Sequence, residues 1–206
     1  MEKMIDHTKI LKSKKRLGRH EKLIIDTLSD YFEKVGYKVL PHSRFDIAWG
    51  SILSDVDLLL IKNDALTLVE VKSSKDNLSR VKKQFKEIRD YVDYVYIATD
   101  YYPKKWPLDN TGRIVIKDGI IDFLKKPEKI EQTPTVNSIM SLKKSDLTTM
   151  LGLQKRQTNN ITKYVMATQL RKEKTGEDLR IMLKTAVTCN LQVVNDSCLE
   201  YSAASN

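Results

Sequence analysis

The sequence predicts an α/β protein in which helices cover a mixed β-sheet. Apolar residues over 24–35 recur at three- and four-residue steps, which is the pattern of an amphipathic helix. Runs typical of strands follow at 37–40, 56–61, 66–72 and 95–99. A second amphipathic pattern separates the last two strands. The resulting order of helix, three strands, helix and strand indicates a sheet with helices packed against its faces.

Local signals set the ends of several of these elements. Gly36 is expected to end the first helix, and Pro41 to end the short strand that follows it. Asp76 precedes the second helix and is expected to be its N-cap. A further hairpin is predicted over 113–124, because its two strands flank an Asp-Gly pair at 118–119 that favours a two-residue turn.

Changes in composition divide the chain into four segments. Residues 1–18 are polar and rich in lysine and are interpreted as a basic arm. The predicted sheet and its helices occupy 19–125. Residues 126–137 are polar, contain two prolines and show no periodicity, so we interpret them as a linker. Residues 138–206 form a smaller C-terminal domain, mainly helical to about residue 184 and strand-like afterwards.

Composition excludes several classes of protein. A chain of 206 residues with 41% hydrophobic and 31% charged residues can build a core and is not intrinsically disordered. No apolar run approaches the roughly 20 residues that cross a bilayer, so we expect no membrane association. Two cysteines are too few for a disulfide framework, which fits a cytoplasmic location. The formal net charge of +9 favours a polyanionic partner, although it also promotes solubility.

A predicted hairpin at the centre of the sheet brings acidic residues together. An Asn-Asp pair at 63–64 tolerates the left-handed conformations of a tight turn. If it forms the turn, cross-strand partners are positions whose numbers sum to about 127. Asp57 then faces Glu70, and Asp55 faces Lys72. Because side chains alternate along a strand, Asp57, Glu70 and Lys72 share one face.

Two carboxylates that meet between apolar strands need a counter-charge, since like charges placed directly opposite destabilise a sheet. A hard cation supplies one, because Mg²⁺ binds through one or two carboxylates together with water and phosphate oxygens. The structural alternative is that Asp57 and Glu70 lie on a solvated face, with Lys72 paired to Asp55.

Asp57, followed by a hairpin and the Glu-Val-Lys sequence at 70–72, resembles the motif of the PD-(D/E)XK nucleases. The resemblance covers roughly 19–124 and implies the restriction-endonuclease-like fold. The sequence Glu-Val-Lys-Ser-Ser is typical of the DNA-repair and Holliday-junction-resolvase-like branches. Ser-Asp-Val-Asp replaces the nominal Pro-Asp. Gln84 matches a frequent helix glutamine of the family and is an implied DNA contact, but no tyrosine follows it at the four-residue spacing of the exonuclease branch.

The resemblance also implies a set of site residues. Asp57, Glu70 and the Val71 carbonyl would hold Mg²⁺, for which Mn²⁺ could substitute. Lys72 would stabilise charge in the transition state rather than act as a base, because two nearby carboxylates favour its charged form. Glu21 would be a further metal ligand and catalytic residue. The alternative is that Glu21 only stabilises its helix, as acidic residues do in a first turn.

The segment 143–165 reads as helix, Gly152 turn and helix, which resembles a helix-turn-helix. The second helix would present side chains suited to base edges and phosphates, namely Gln154, Lys155, Arg156, Gln157 and Asn159. Strand-like runs at 187–194 and 198–201 would form the wing of a winged helix. An unrelated helical domain, for example for dimerisation, is the alternative.

These observations together predict a Mg²⁺-dependent DNA nuclease, an endonuclease that acts in repair, recombination or restriction. Two alternatives remain open: a non-catalytic DNA-binding or regulatory protein on a nuclease-like scaffold, and an RNA-processing endonuclease. A homodimer is compatible with the sequence, which does not decide the oligomeric state.

Overall fold

Six strands form one mixed sheet in the computed structural model, which describes residues 19–47, 51–74, 76 and 78–185. The strands are β1 (Lys38–Ile47), β2 (Ser51–Lys62), β3 (Ala65–Lys72), β4 (Tyr94–Thr99), β5 (Gly112–Lys117) and β6 (Ile120–Lys125). Their spatial order is the same as their order in the chain. β3, β4 and β5 run parallel to one another, whereas the β1–β2, β2–β3 and β5–β6 pairs are antiparallel.

Helices flank the sheet, which confirms the predicted α/β class. They are α1 (Arg19–Lys34), α2 (Ser79–Ile88), α3 (Val136–Met140), α4 (Lys144–Met150), α5 (Lys163–Glu173) and α6 (176–185). The order from α1 to β4 is helix, three strands, helix and strand, as predicted. Within the described part of the chain, no helix combines the length and apolar character needed to span a bilayer.

The two faces of the sheet carry separate hydrophobic clusters. On one side, which we name the α1 face, the apolar stripe of α1 packs against the sheet through Ile24, Leu28, Leu58, Val69 and Ile114, among others. The opposite side, the α2 face, is covered by α2 and by the helices that follow the sheet. Its cluster includes Leu59, Leu68, Ile88, Val95, Leu147, Leu170 and Leu183.

The C-terminal helices share the α2-face cluster with the sheet. Leu147, Leu170 and Leu183 are almost fully buried there. An ion pair between Lys184 and Asp93, with an N–O distance of 2.9 Å, fastens α6 to the turn before β4. The described part of the predicted C-terminal domain therefore lies against the sheet. The domain boundaries themselves stay a prediction, although residues 126–135 form neither helix nor strand, as expected of a linker.

The prediction that Pro41 ends the first strand is wrong, because β1 continues to Ile47 and pairs Pro41 with Leu58. β1 is an edge strand of the described sheet. An edge strand tolerates proline because the missing N–H falls on the side that has no strand partner.

The prediction that Asp76 caps α2 is also wrong. The N-cap of α2 is Leu78, which makes no side-chain capping bond. Asp76 Oδ2 instead accepts hydrogen bonds from the backbone N–H and the hydroxyl of Ser73, both at 2.7 Å. Asp76 therefore shapes the turn after β3, because a short acidic side chain bonds most readily to nearby backbone groups.

The predicted second helix of the helix-turn-helix does not form as an α-helix. α4 and the Gly152 turn, with φ of 66°, are present, but a single 3₁₀ turn over Lys155–Thr158 follows them. The Gln157 side chain accepts the Gln154 N–H at 2.6 Å, and a new cap at Thr162 starts α5. These local bonds divide the segment into two short pieces. The predicted wing at 187–201 and the arm at 1–18 lie outside the described residues.

Candidate active site

The β2–β3 hairpin sets two acidic residues opposite each other. Its turn residues at 63–64 have φ of 50° and 59°, the left-handed conformation that a tight hairpin requires. Leu58 pairs with Val69, and the four other pairs toward the turn keep the same register. The predicted register is therefore confirmed for these five pairs. Continued by one residue, it sets Asp57 opposite Glu70.

Both carboxylates are buried on the α2 face. Asp57 and Glu70 are each only 4% exposed. Val69 and Val71, on either side of Glu70, lie in the α1-face cluster, so alternation directs Glu70 to the other side, where the charge of Asp57 is close enough to raise its pKa. Asp57 Oδ2 accepts the Val71 N–H at 2.8 Å, which fixes that carboxylate against the backbone of β3.

The surroundings of Glu70 perturb its charge. Burial raises the pKa of Glu70 above its usual value, and the facing charge of Asp57 raises it further. An ion pair with Lys72 and a hydrogen bond from Gln84 act in the opposite direction without restoring the usual pKa. The site thus holds two carboxylates and one ammonium group within a largely apolar sheet.

Gln84 connects this site to α2. Its side chain donates a hydrogen bond to Glu70, so its amide nitrogen faces the carboxylate. Its Oε1 is buried and has no hydrogen-bond donor among the described residues. An acceptor that is buried without a donor costs free energy, and a bound water or ligand group would satisfy it.

The donor set suits Mg²⁺. Asp57 and Glu70 supply two carboxylates on adjacent strands, and the Val71 carbonyl lies in the same segment of β3. Mg²⁺ is commonly held by one or two carboxylates, with its other positions left to water and substrate oxygens. Across the described ranges, no three His, Cys, Asp or Glu side chains form a group that could hold a metal ion.

Glu21 is not brought into a common acidic cluster with this pair. It lies half-buried in the first turn of α1, whose residues Ile24 and Leu28 pack against the α1 face. Asp57 and Glu70 point to the opposite face. The proposed roles of Glu21 as a metal ligand and catalytic residue therefore stay predictions.

The remaining predicted DNA-contact residues are distant in sequence from Asp57 and Glu70 and lie on a different element. Arg156, Gln157 and Asn159 are exposed on or next to the 3₁₀ turn, which also contains Lys155. Arg156 Nε donates to Gln154 Oε1 at 2.9 Å. Their role in DNA binding stays a prediction, on a turn instead of the expected helix. The side chain of Asp55, predicted to face Lys72, lies outside the described part of the structure.

Sequence reasoning missed a loop that begins beside the site. The Ser74 N–H, two residues beyond Lys72, donates to Asp100 Oδ1 at 2.8 Å, and Asp100 directly follows β4. A signal was present, because parallel strands end at the same edge of a sheet and the loops that follow them meet there. The loop contains aromatic and basic residues in succession: Tyr101, Tyr102, Lys104, Lys105 and Trp106.

Comparisons with known proteins do not assign this site. No family model matches the chain, and no curated protein does. Among solved structures, the chain is similar to the SPO1766 protein of unknown function from Silicibacter pomeroyi. The two are 14% identical, the match covers 54% of this chain and 73% of that chain, and the TM-score is 0.43. A similarity at this level carries no argument about function.

Proposed function

We propose that this chain is a Mg²⁺-dependent DNA nuclease, and more specifically an endonuclease, that hydrolyses phosphodiester bonds. The observation that carries the proposal is the buried pair of facing carboxylates, Asp57 and Glu70, with Lys72 beside them. Burial and the facing charge both work against ionisation of Glu70. A bound cation would relieve this unfavourable arrangement, and a catalytic role would explain why it is retained.

Asp57, Glu70 and the Val71 carbonyl are the groups that would hold the metal. When bound, Mg²⁺ would stabilise charge on a phosphoryl oxygen and lower the pKa of a coordinated water. The chain contributes the fixed positions of the oxygen donors. Asp57 is held by the Val71 N–H, and Glu70 by Gln84 and Lys72.

Lys72 is best suited to stabilise negative charge. Its ammonium group forms an ion pair with Glu70, and its side chain is only 11% exposed. Lys72 can donate a hydrogen bond to a phosphate oxygen on which charge develops.

The surface near the site supports a polyanionic substrate. α2 carries Gln84 into the site and exposes a set of basic residues to solvent, namely Arg80, Lys82, Lys83 and Lys86. The chain as a whole has a net charge of +9. Cationic groups that neutralise backbone phosphates supply most of the sequence-independent affinity for DNA.

One observation favours a second candidate function, that of a non-catalytic DNA-binding or regulatory protein. The ion pair between Lys72 and Glu70 gives one of the two carboxylates a structural partner. If this pair exists only to hold the sheet together, the protein would bind DNA without cleaving it. An RNA-processing endonuclease would use the same site, and competition between duplex DNA and RNA distinguishes it.

The proposal is tested by incubating the full chain with supercoiled, linear, single-stranded and branched DNA in Mg²⁺. We expect cleavage with Mg²⁺ and Mn²⁺. Ca²⁺ should support binding without turnover, because its coordination is looser. Asp57→Asn and Glu70→Gln should abolish cleavage and leave DNA binding in place.

Asp64→Asn is the matched control, because it makes the same change in the same hairpin at an exposed turn residue with φ of 59°. It should cleave like the unaltered chain. Cleavage by Glu70→Gln at the unaltered rate, or full activity in EDTA, would disprove the metal site. Binding of DNA without cleavage under any metal would favour the non-catalytic alternative.

A further inference from the structure

The loop over 100–111, which we name the aromatic loop, covers the β5–β6 side of the α2 face. Trp106 packs its ring on the Arg113 guanidinium at 5.6 Å. Tyr102 donates its hydroxyl hydrogen bond to Asp122 on β6, at 3.2 Å. Because Asp100 also accepts the Ser74 N–H, the loop is tied at one end to the segment that follows Lys72.

The sheet register locates this loop relative to the site. Lys72 pairs with Thr99, Thr99 with Val115, and Val115 with Asp122. Directly paired residues point to the same face, so these four side chains form one row across the α2 face. Adjacent strands are about 4.8 Å apart, which places Asp122 roughly 14 Å from Lys72. The Tyr102 hydroxyl, bonded to Asp122, therefore lies at the level of the candidate active site.

Three side chains of the loop, those of Tyr102, Lys104 and Lys105, are presented to solvent. Tyr102 is 57% exposed although its hydroxyl is anchored on Asp122, so its ring is held in position without being buried. Lys104 and Lys105, two and three residues further on, are also exposed. A fixed aromatic ring that is followed along the chain by two exposed lysines provides a stacking surface for a base and donors for the adjoining phosphates.

We propose that the aromatic loop binds unpaired nucleotides of the DNA strand that enters the site, with a base stacked on Tyr102. The inference rests on the proposed function for its choice of polynucleotide. If the inference is correct, the substrate is DNA that contains a single-stranded segment, such as a flap, a gap or a branch. A lone exposed ring favours unpaired bases, because the bases of a duplex are already stacked on one another.

The distance between Lys72 and Asp122 sets the length of the unpaired segment. Successive nucleotides of one strand rise 3.4 Å in a duplex and can be further apart in a single strand. A gap of roughly 14 Å between Lys72 and Asp122 thus corresponds to about four nucleotides or fewer. Cleavage is expected within about four nucleotides of the stacked base.

The test measures binding of the full chain in EDTA, so that it does not depend on cleavage. The probes are a 15-nucleotide single strand that contains 2-aminopurine and a 15-base-pair duplex. Tyr102→Ala should weaken single-strand binding about 10-fold, the scale of one lost stacking contact. Its affinity for the duplex should change less than about 2-fold. In Tyr102→Ala, the change in 2-aminopurine fluorescence that accompanies binding should disappear.

Four variants separate stacking from other effects. Tyr102→Phe keeps the ring and should retain most single-strand affinity, whereas Tyr102→Leu should behave like Tyr102→Ala. Tyr164→Ala is the matched control, because Tyr164 is 60% exposed on α5. It should bind like the unaltered chain. Replacing Lys104 and Lys105 together by alanine should reduce the slope of log affinity against log salt concentration by up to about 1.4. Each phosphate contact to a single strand contributes about 0.7 to that slope.

Unchanged single-strand binding by Tyr102→Ala, or an equal loss for single strand and duplex, would overturn the inference. If the unaltered chain cleaves no DNA in Mg²⁺ but still binds single strands through Tyr102, the nuclease proposal is disproved and the binding role of the aromatic loop remains. Cleavage that does not depend on Tyr102 or on unpaired nucleotides would leave the nuclease assignment in place and remove the role of the aromatic loop.

Discussion

Two pairs of buried acidic residues lie near opposite ends of β3, and they differ in what faces them. Asp57 and Glu70 are 4% exposed, and Asp90 and Asp93 are 2% exposed. Asp93 is surrounded by donors: its Oδ2 accepts the Leu66 N–H at 2.8 Å, and both its oxygens lie 2.9 Å from Lys184 Nζ.

Asp90 is satisfied in the same manner. Its Oδ2 accepts the Thr135 N–H at 2.9 Å and the Ser138 hydroxyl at 2.6 Å. It thereby organises the chain that leads into α3. Asp57 and Glu70 also have donors, namely the Val71 N–H, Gln84 and Lys72, but Glu70 additionally carries the opposing charge of Asp57. Burial alone therefore does not mark a functional acid. A buried acid that faces another acid is the stronger candidate.

The largest expected effect tests the structural role of Asp93. Asp93→Ala removes one partner of a buried ion pair and leaves Lys184 and the Leu66 N–H without it. We expect a loss of about 3–5 kcal/mol in the free energy of unfolding, measured by urea denaturation. Asp109→Ala is the control, because its ion pair with Arg113 is on the surface, and should change stability by less than about 1 kcal/mol. A loss below about 1 kcal/mol for Asp93→Ala would remove the contrast between the two pairs.

Sequence reasoning found one of these pairs and not the other, for a physical reason. The register of Asp57 and Glu70 is set locally, by a two-residue turn and by alternation along two strands. The role of Asp93 depends on Lys184, which is 91 residues away, and no local pattern encodes that contact. A different limit applies at 154–162, where a helical pattern was present but competing local side-chain bonds and a new cap prevailed.

The two lysines extend the comparison. Lys72→Ala should lower the cleavage rate per folded molecule at saturating DNA about 10²-fold, the scale for removing one donor to a developing charge, in addition to any stability lost with its ion pair to Glu70. Lys184→Ala should lower stability and leave the rate per folded molecule intact, because Lys184 contacts Asp93 at the other end of β3. Lys72→Arg should keep part of the activity. If both lysine variants lose activity only through unfolding, Lys72 is structural as well.

Metal binding should distinguish the pairs through stability. At about ten times its dissociation constant, Mg²⁺ should raise the free energy of unfolding by about 1.4 kcal/mol, because it binds the folded chain. Asp57→Asn should abolish this increase, and Asp64→Asn should keep it. The measurement is thermal unfolding in EDTA and in increasing Mg²⁺. An equal increase in Asp57→Asn would place the metal away from the facing carboxylates.

The smallest expected effect concerns the cost of holding Glu70 charged. Burial and the facing Asp57 raise the pKa of Glu70 above its usual value of 4.5, so the folded chain binds the proton of Glu70 more tightly than the unfolded chain does. In EDTA, this group therefore contributes stability at low pH, which is lost as pH rises from about 4.5 through the raised pKa. Glu70→Gln removes that loss.

The free energy of unfolding of Glu70→Gln in EDTA should equal or exceed that of the unaltered chain, and the difference should widen as pH rises from 4 to 7. Glu131→Gln, at an exposed position, is the control and should show no such trend. Urea denaturation at several pH values gives the comparison. If Glu70→Gln is instead markedly less stable at pH 7, the ion pair with Lys72 outweighs the repulsion from Asp57. The Asp57–Glu70 pair would then resemble Asp90 and Asp93 in being held by favourable contacts, and the physical distinction between the two pairs would fail.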